Sequence, residues 1–183
     1  LCLNSFAVSN YRGAHIALRC MLEDLYRHLY YKDHPEEYGA LRFDPFAEEA
    51  FKQSPVDLRE YLEKVSYLKS LKELNSSFMP KINDGEEDIF ALNASLYSTA
   101  SAYVHGSKMG SMNSFRSNSN VARNKAKEIA LVRTVSQFTR IACAFLISAH
   151  ADEFRTFNDY DKSIVLEAFD LNQRSGLRKA LNI

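Results

Sequence analysis

Tyr11–Tyr31 reads YRGAHIALRCMLEDLYRHLYY. Within it Ala14, Leu18, Met21, Leu22, Leu25 and Leu29 recur at the three- and four-residue intervals that put side chains on one face of an α-helix. The spacing predicts a helix from Asn10 to about Tyr31, closed by Pro35 and Gly39. The other side of this helix is unusual. At 100° per residue, Arg12, His15, Arg19, Glu23, Tyr26 and Tyr30 share an arc of about 80°, read as lying opposite the apolar stripe. Lys and Gln dominate an ordinary solvent face, whereas this arc holds Arg, His, Glu and Tyr.

Working outward, Pro45–Phe51 reads as a short helical turn. Val56 to about Leu74 is a second long helix, with Pro55 suited to its first turn and Leu58, Leu62, Val65, Leu68 and Leu71 or Leu74 as its apolar set. Residues 75–88 form a loop rich in Ser, Asn, Asp, Pro and Gly. Glu86–His105 is a third helix, buried along Ile89, Leu92, Leu96, Ala100 and Tyr103, with Gly106 as its stop signal. Residues 106–124 contain two Gly, five Ser and four Asn and form one long loop. Asn124 to about Phe154 is a fourth helix, apolar around so much of its circumference that a central position is expected. Asp159–Phe169 and Ser175–Leu181 are two further short helices. No segment alternates like a strand and no internal repeat occurs, so the expected fold is all-α: a helical bundle of four main helices plus short C-terminal helices, one domain over residues 1–183.

Composition agrees. The 183 residues are 46% hydrophobic and 25% charged, with six Gly, four Pro and no Trp, which excludes collagen-like, low-complexity and turn-dense β architectures. Lys+Arg and Asp+Glu are equal at 23 each, removing the global argument for a nucleic-acid or membrane-surface protein. The zero is a sum of opposites. Residues 36–63 carry eight acids against three bases, and residues 106–140 carry seven bases against Glu128 alone. Lys108, Arg116 and Arg123 in the basic Ser/Asn-rich loop suit phosphate binding ahead of a helix N-terminus; a solvated surface, or a docking face for an acidic partner, is the alternative.

Cys2, Cys20 and Cys143 form no CxxC pair, and Cys20 and Cys143 sit in apolar helical patterns that suggest buried free thiols and a reducing cytoplasm. No run of about 18 apolar residues is apparent, so no membrane association is expected. The first residues, Leu1–Phe6, lack an initiating Met and a basic leader, so the chain is expected to be a fragment of a longer polypeptide, with an upstream domain or protein partner. No P-loop, GxGxxG, HExxH or Glu-x-x-His constellation occurs. No cofactor and no metal site are expected.

On the third helix Tyr97, Ser101 and His105 share one face at i, i+4 and i+8, and a histidine suits the negative end of the helix dipole. On the first, Arg19 and Glu23 are spaced to pair. If the two helices lie side by side, His105 meets the Arg19–Glu23 stripe, an acid/base imidazole beside a guanidinium, a workable arrangement for RNA phosphodiester cleavage. The segments YRGAHIALRCMLEDLYRHLYY and LYSTASAYVHGS resemble the HEPN-like helical domains of bacterial abortive-infection, toxin–antitoxin and other phage-defence proteins. The resemblance covers roughly residues 8–150 as an arrangement of helices. It implies a metal-independent ribonuclease, often a homodimer, or a catalytically silent relative. Active members of that superfamily carry Arg followed after four to six residues by His. Arg27 and His34 match that spacing, but the corresponding positions before His105 are Ser98, Thr99 and Ala100. The expected catalytic set is therefore Arg19, Glu23 and His105, with Arg12, Tyr97, Ser101, Lys108, Arg116 and Arg123 binding RNA. The competing expectation is a non-catalytic helical module docking onto a partner effector or nucleic-acid enzyme.

Overall fold

The computed structural model describes residues 11–43, 54–73, 89–105 and 125–182. The expected turn Pro45–Phe51, the loops 75–88 and 106–124, and with them Lys108, Arg116 and Arg123, lie outside the described residues. Among the described residues all regular structure is helical: α1 (Tyr11–Asp33), α2 (Pro35–Phe43), α3 (Pro55–Lys64), α4 (Ser66–Glu73), α5 (Ile89–His105), α6 (Lys125–Ala149), α7 (Ala151–Thr156), α8 (Asp159–Leu166) and α9 (Leu171–Leu181).

Local chemistry sets several boundaries. His34 precedes Pro35, whose ring disfavours helical backbone in the preceding residue, so α1 stops and α2 starts afresh. Pro35 therefore opens a helix where the sequence suggested only a terminus. Ser54 and Asp57 cap α3 reciprocally, with Pro55 in the first turn. Asn158 caps α8, and Asp170 with Gln173 makes the same reciprocal cap on α9, which therefore begins at Leu171 rather than Ser175.

The helix expected over Val56–Leu74 is two helices, broken at Val65, whose backbone is extended (φ −64°, ψ 133°). Leu62, Val65, Leu68 and Leu71 are spaced by three, and each such step carries the stripe about 60° round an unbroken helix. The break resets the phase, so Leu62, Leu68 and Leu71 are all buried. The long fourth helix is likewise interrupted at His150 (φ −120°, ψ 39°), which separates α6 from α7.

α1 and α6 share the centre of the bundle: α5, α6, α3 and α2 pack against α1, and α1, α5, α4 and α7 pack against α6. The C-terminal half of α1 joins the main core, where Leu22, Tyr26 and Leu29 meet Leu62, Leu68, Ile89, Leu96, Ile141, Phe145 and Leu177. Its N-terminal half makes a smaller cluster of Tyr11, Ala14 and Leu18 with Leu131. Serving several neighbours, α1 buries a wider arc than its apolar stripe. His15, Tyr26 and Tyr30 of the polar arc are buried, because that arc adjoins the stripe instead of opposing it; Met21, at the stripe's other edge, is 44% exposed.

α6 spends only one side on the core. Elsewhere along the helix Ile129, Val132 and Leu146 are exposed. By length and composition, with mean hydropathy 1.3, α6 is long and apolar enough to cross a membrane, a property that core helices share. Cys20 is exposed and Cys143 half-buried, so the first is not the buried thiol its surroundings suggested.

Candidate functional site at the seam of α1 and α5

Tyr26 and Asn93 set the register of the two helices. The Tyr26 hydroxyl donates to Asn93 Oδ1 at 2.8 Å, both residues being buried, and burial pushes the phenol's pKa up. Asn93 stands inside the apolar stripe of α5 and was not singled out from the sequence. An amide among Ile89, Leu92 and Leu96 is the signal that could have found it, since a buried amide needs a partner.

From that bond outward the helices run antiparallel, and three polar layers follow toward the C-terminus of α5. In the first, Tyr97 donates from its hydroxyl to Glu23 Oε1 at 3.2 Å. In the second, Arg19 Nε donates to the same carboxylate oxygen at 2.8 Å, with the guanidinium carbon 5.4 Å from the Tyr97 ring centroid. That hydrogen bond is the main reason the Arg19 pKa is raised. Arg19 Nη1 also lies 3.2 Å from His105 Nε2. A guanidinium only donates, so this imidazole nitrogen accepts and the ring proton lies on Nδ1. In the third layer Arg12 donates to the carbonyls of Tyr103 (3.2 Å) and Val104 (3.3 Å), among the last carbonyls of α5, which have no partner within the helix. Arg12 thus caps α5 and holds the end from which His105 projects.

The structure therefore brings Arg19, Glu23, Tyr97 and His105 into one connected group and sets Arg12 beside it. Ser101 lies on the same face of α5, half-buried, its hydroxyl shielded from solvent without a hydrogen-bond partner. No family model, curated protein or solved structure matches the chain. The chemistry of the seam is therefore read from its own geometry.

That geometry leaves the group accessible. Arg19 and Glu23 retain 20% and 15% side-chain exposure, and His105 is exposed, so a ligand can reach the group. Glu23, His105 and Tyr97 engage part of the guanidinium's five N–H groups, and the remainder can meet a phosphate or carboxylate. Beside the group, His15 stacks on Tyr103 with ring centroids 3.8 Å apart. Burial lowers the His15 pKa to about 4 and makes it a neutral wall rather than an acid. Arg27 and His34, the pair with the superfamily spacing, are engaged elsewhere: Arg27 with Asp24, and His34 with the Tyr30 carbonyl and ring. Among the described residues no three His, Cys, Asp or Glu side chains converge to hold a metal ion.

Proposed function

We propose that this chain is a HEPN-like helical domain of a bacterial defence or toxin–antitoxin system, acting in the cytoplasm, and that it binds or cleaves RNA at the seam of α1 and α5. The observation that carries the reading is the 3.2 Å contact between Arg19 and His105, two residues 86 positions apart that meet at an exposed edge. In cleavage an entering phosphate draws the Arg19 guanidinium off the imidazole. The freed His105 Nε2 then takes the proton of the ribose 2′-hydroxyl as that oxygen attacks phosphorus. Arg19 balances the charge gathering on the phosphoryl oxygens, the P–O5′ bond breaks, and the 5′-oxygen takes a proton from water. Glu23 and Tyr97 hold Arg19 in place, and Arg12 holds the end of α5.

The test is turnover and binding of single-stranded RNA by the purified chain. His105→Ala is expected to slow cleavage by about 10²–10⁴-fold with helical content unchanged. Arg19→Ala is expected to weaken RNA binding as well. Unchanged turnover in His105→Ala and unchanged binding in Arg19→Ala together would remove the seam from the function.

A second reading, a non-catalytic module that docks onto a protein, is favoured by a different observation: the exposed Ile129, Val132 and Leu146 of α6. It predicts that Val132→Glu abolishes partner binding or homodimer formation while His105→Ala leaves it intact.

A further inference from the structure

Helix α6 carries a second regular pattern, on the side turned from the core. Ile129, Val132, Ser136, Thr139, Cys143 and Leu146 are spaced alternately by three and four residues and fall within an arc of about 100°. Five of the six are exposed and Cys143 is half-buried, while Leu131, Ile141 and Phe145 on the opposite arc are buried. We propose that this arc is a coiled-coil seam through which two copies of the chain pair, each α6 lying parallel to the other around a two-fold axis. The proposal rests on the docking reading of α6 and names the partner; it is separate from any RNA chemistry at the α1/α5 seam.

Helices interlock along a seven-residue repeat whose first and fourth positions, a and d, face the partner. Ile129, Ser136 and Cys143 take the a positions, and Val132, Thr139 and Leu146 the d positions. No charge stands on this seam. The Thr139 hydroxyl donates to the Val135 carbonyl at 3.0 Å, so covering Thr139 leaves no orphan donor. Ser136 puts a small hydroxyl at the middle a position, where a polar side chain fixes register at some cost in stability. A seam of about 25 Å from one helix makes a small interface, so the pair is expected to form reversibly at micromolar concentration.

Charge selects the direction of pairing. In a parallel pair the g residue of one heptad faces the e residue of the next heptad on the other helix. That sets Glu128 against Arg133 of the partner subunit, twice by symmetry. Arg133 is exposed, and among the described residues no acid pairs with it. Glu128 accepts from the Tyr11 hydroxyl at 3.4 Å, and a carboxylate has capacity for a guanidinium besides. In an antiparallel pair e faces e, which sets Arg133 against Arg140 of the partner subunit and repels. The chain's net charge of zero adds no general repulsion between copies.

A two-fold axis along the seam brings each seam residue against its own copy, so Cys143 meets Cys143 of the partner subunit. A lipid surface would account for exposed Ile129, Val132 and Leu146 but not for the seven-residue register, which another helix reads. The repeat is hard to see in the sequence because the more apolar buried arc of the same helix overlies it. Exposure picks it out.

The experiment is sedimentation equilibrium of the full chain from about 1 to about 300 µM, alongside Val132→Glu, Leu146→Glu, Glu128→Arg, Arg133→Glu and the Glu128→Arg/Arg133→Glu swap. Circular dichroism checks that the variants keep their helices. The parent should pass from monomer to dimer within that range. Val132→Glu and Leu146→Glu should weaken the dimer at least tenfold. Each single charge reversal should weaken it less, and the swap should regain most of the loss. Direction is read by oxidising single-cysteine chains. With Cys2 and Cys20 replaced by Ser, Cys143 should crosslink to its own copy, and so should Ile129→Cys once Cys143 is also Ser. A parent chain still monomeric at the highest concentration, a dimer that survives Val132→Glu, or a dimer that forms neither crosslink would overturn the proposal. A monomer that binds a different protein through Val132 would overturn it and leave the docking reading of α6 standing. A monomer that binds phosphatidylcholine–phosphatidylserine vesicles through Val132 would overturn both.

Discussion

Helix α1 is joined to its two long neighbours by seams of opposite chemistry. Against α5 it presents hydrogen bonds, from Tyr26–Asn93 in the interior to Arg19–His105 at the edge. Against α6 it presents mainly carbon: Ala14 and Leu18 on Leu131, with Val135 and Phe138 behind. Polar contacts stand at the ends of that seam, Tyr11–Glu128 at one and His28–His150 at the other. The apolar seam stabilises by area and tolerates sliding. The polar seam contributes less per residue but fixes register, because a buried hydrogen bond is made in one alignment and missed in its neighbours. A site that needs two side chains placed to a fraction of an ångström belongs on the second kind.

Four perturbations separate the two seams. The largest effect is expected from Leu131→Ala, which opens a cavity at a residue 1% exposed and should cost about 2–5 kcal/mol in urea unfolding while leaving the Arg19 group assembled. A result below about 1 kcal/mol would mean that the smaller core is not what secures α6.

Next is acid. His15 is buried and its pKa falls from the usual 6.5 to about 4, so between those values the unfolded chain binds a proton that the folded chain refuses. Stability is complete above about pH 6.5 and is lost as pH falls toward 4, by up to about 3 kcal/mol. Unfolding free energies across that range should slope accordingly, and His15→Phe, which keeps the stack on Tyr103, should flatten the slope.

Tyr26→Phe comes third. It leaves Asn93 Oδ1 buried without its donor, at about 1–3 kcal/mol, and should also loosen the register that brings Arg19 to His105. The expected signature is hydrogen exchange that accelerates in α5 more than in α6.

The smallest effect on stability is expected from Arg19→Met. The pair with Glu23 is partly exposed, and its loss should change the unfolding free energy by no more than about 0.5 kcal/mol, whatever it does to RNA. A loss above about 2 kcal/mol would recast Arg19 as a structural residue.

Much of this was legible in the sequence, unevenly. Pairing of Arg19 with Glu23 follows from i, i+4 spacing, and the shared face of Tyr97 and His105 from i, i+8, because one helix carries both members of each pair. The break at Val65 was also written there, in a stripe drifting by steps of three, but was read as a continuous helix. The apolar sequence of α6 overstates its burial, because hydrophobicity alone does not measure burial. α1 has the polar arc, yet its Tyr and His side chains cover apolar area with one end and bond with the other, while α6 leaves Val132 at 56% exposure.

By itself the sequence determined that the described chain is helical, where the capped helices start, and which neighbours along each helix can touch. These are decided within a few residues by caps, prolines and a 3.6-residue period. Only the tertiary structure decided that His105 meets Arg19, that Arg12 closes α5, and that His28 meets His150. Those contacts join positions 86 to 122 apart, and they depend on the direction and register in which helices pack. Local periodicity supplies the faces, but the pairing of faces is set by the whole core at once.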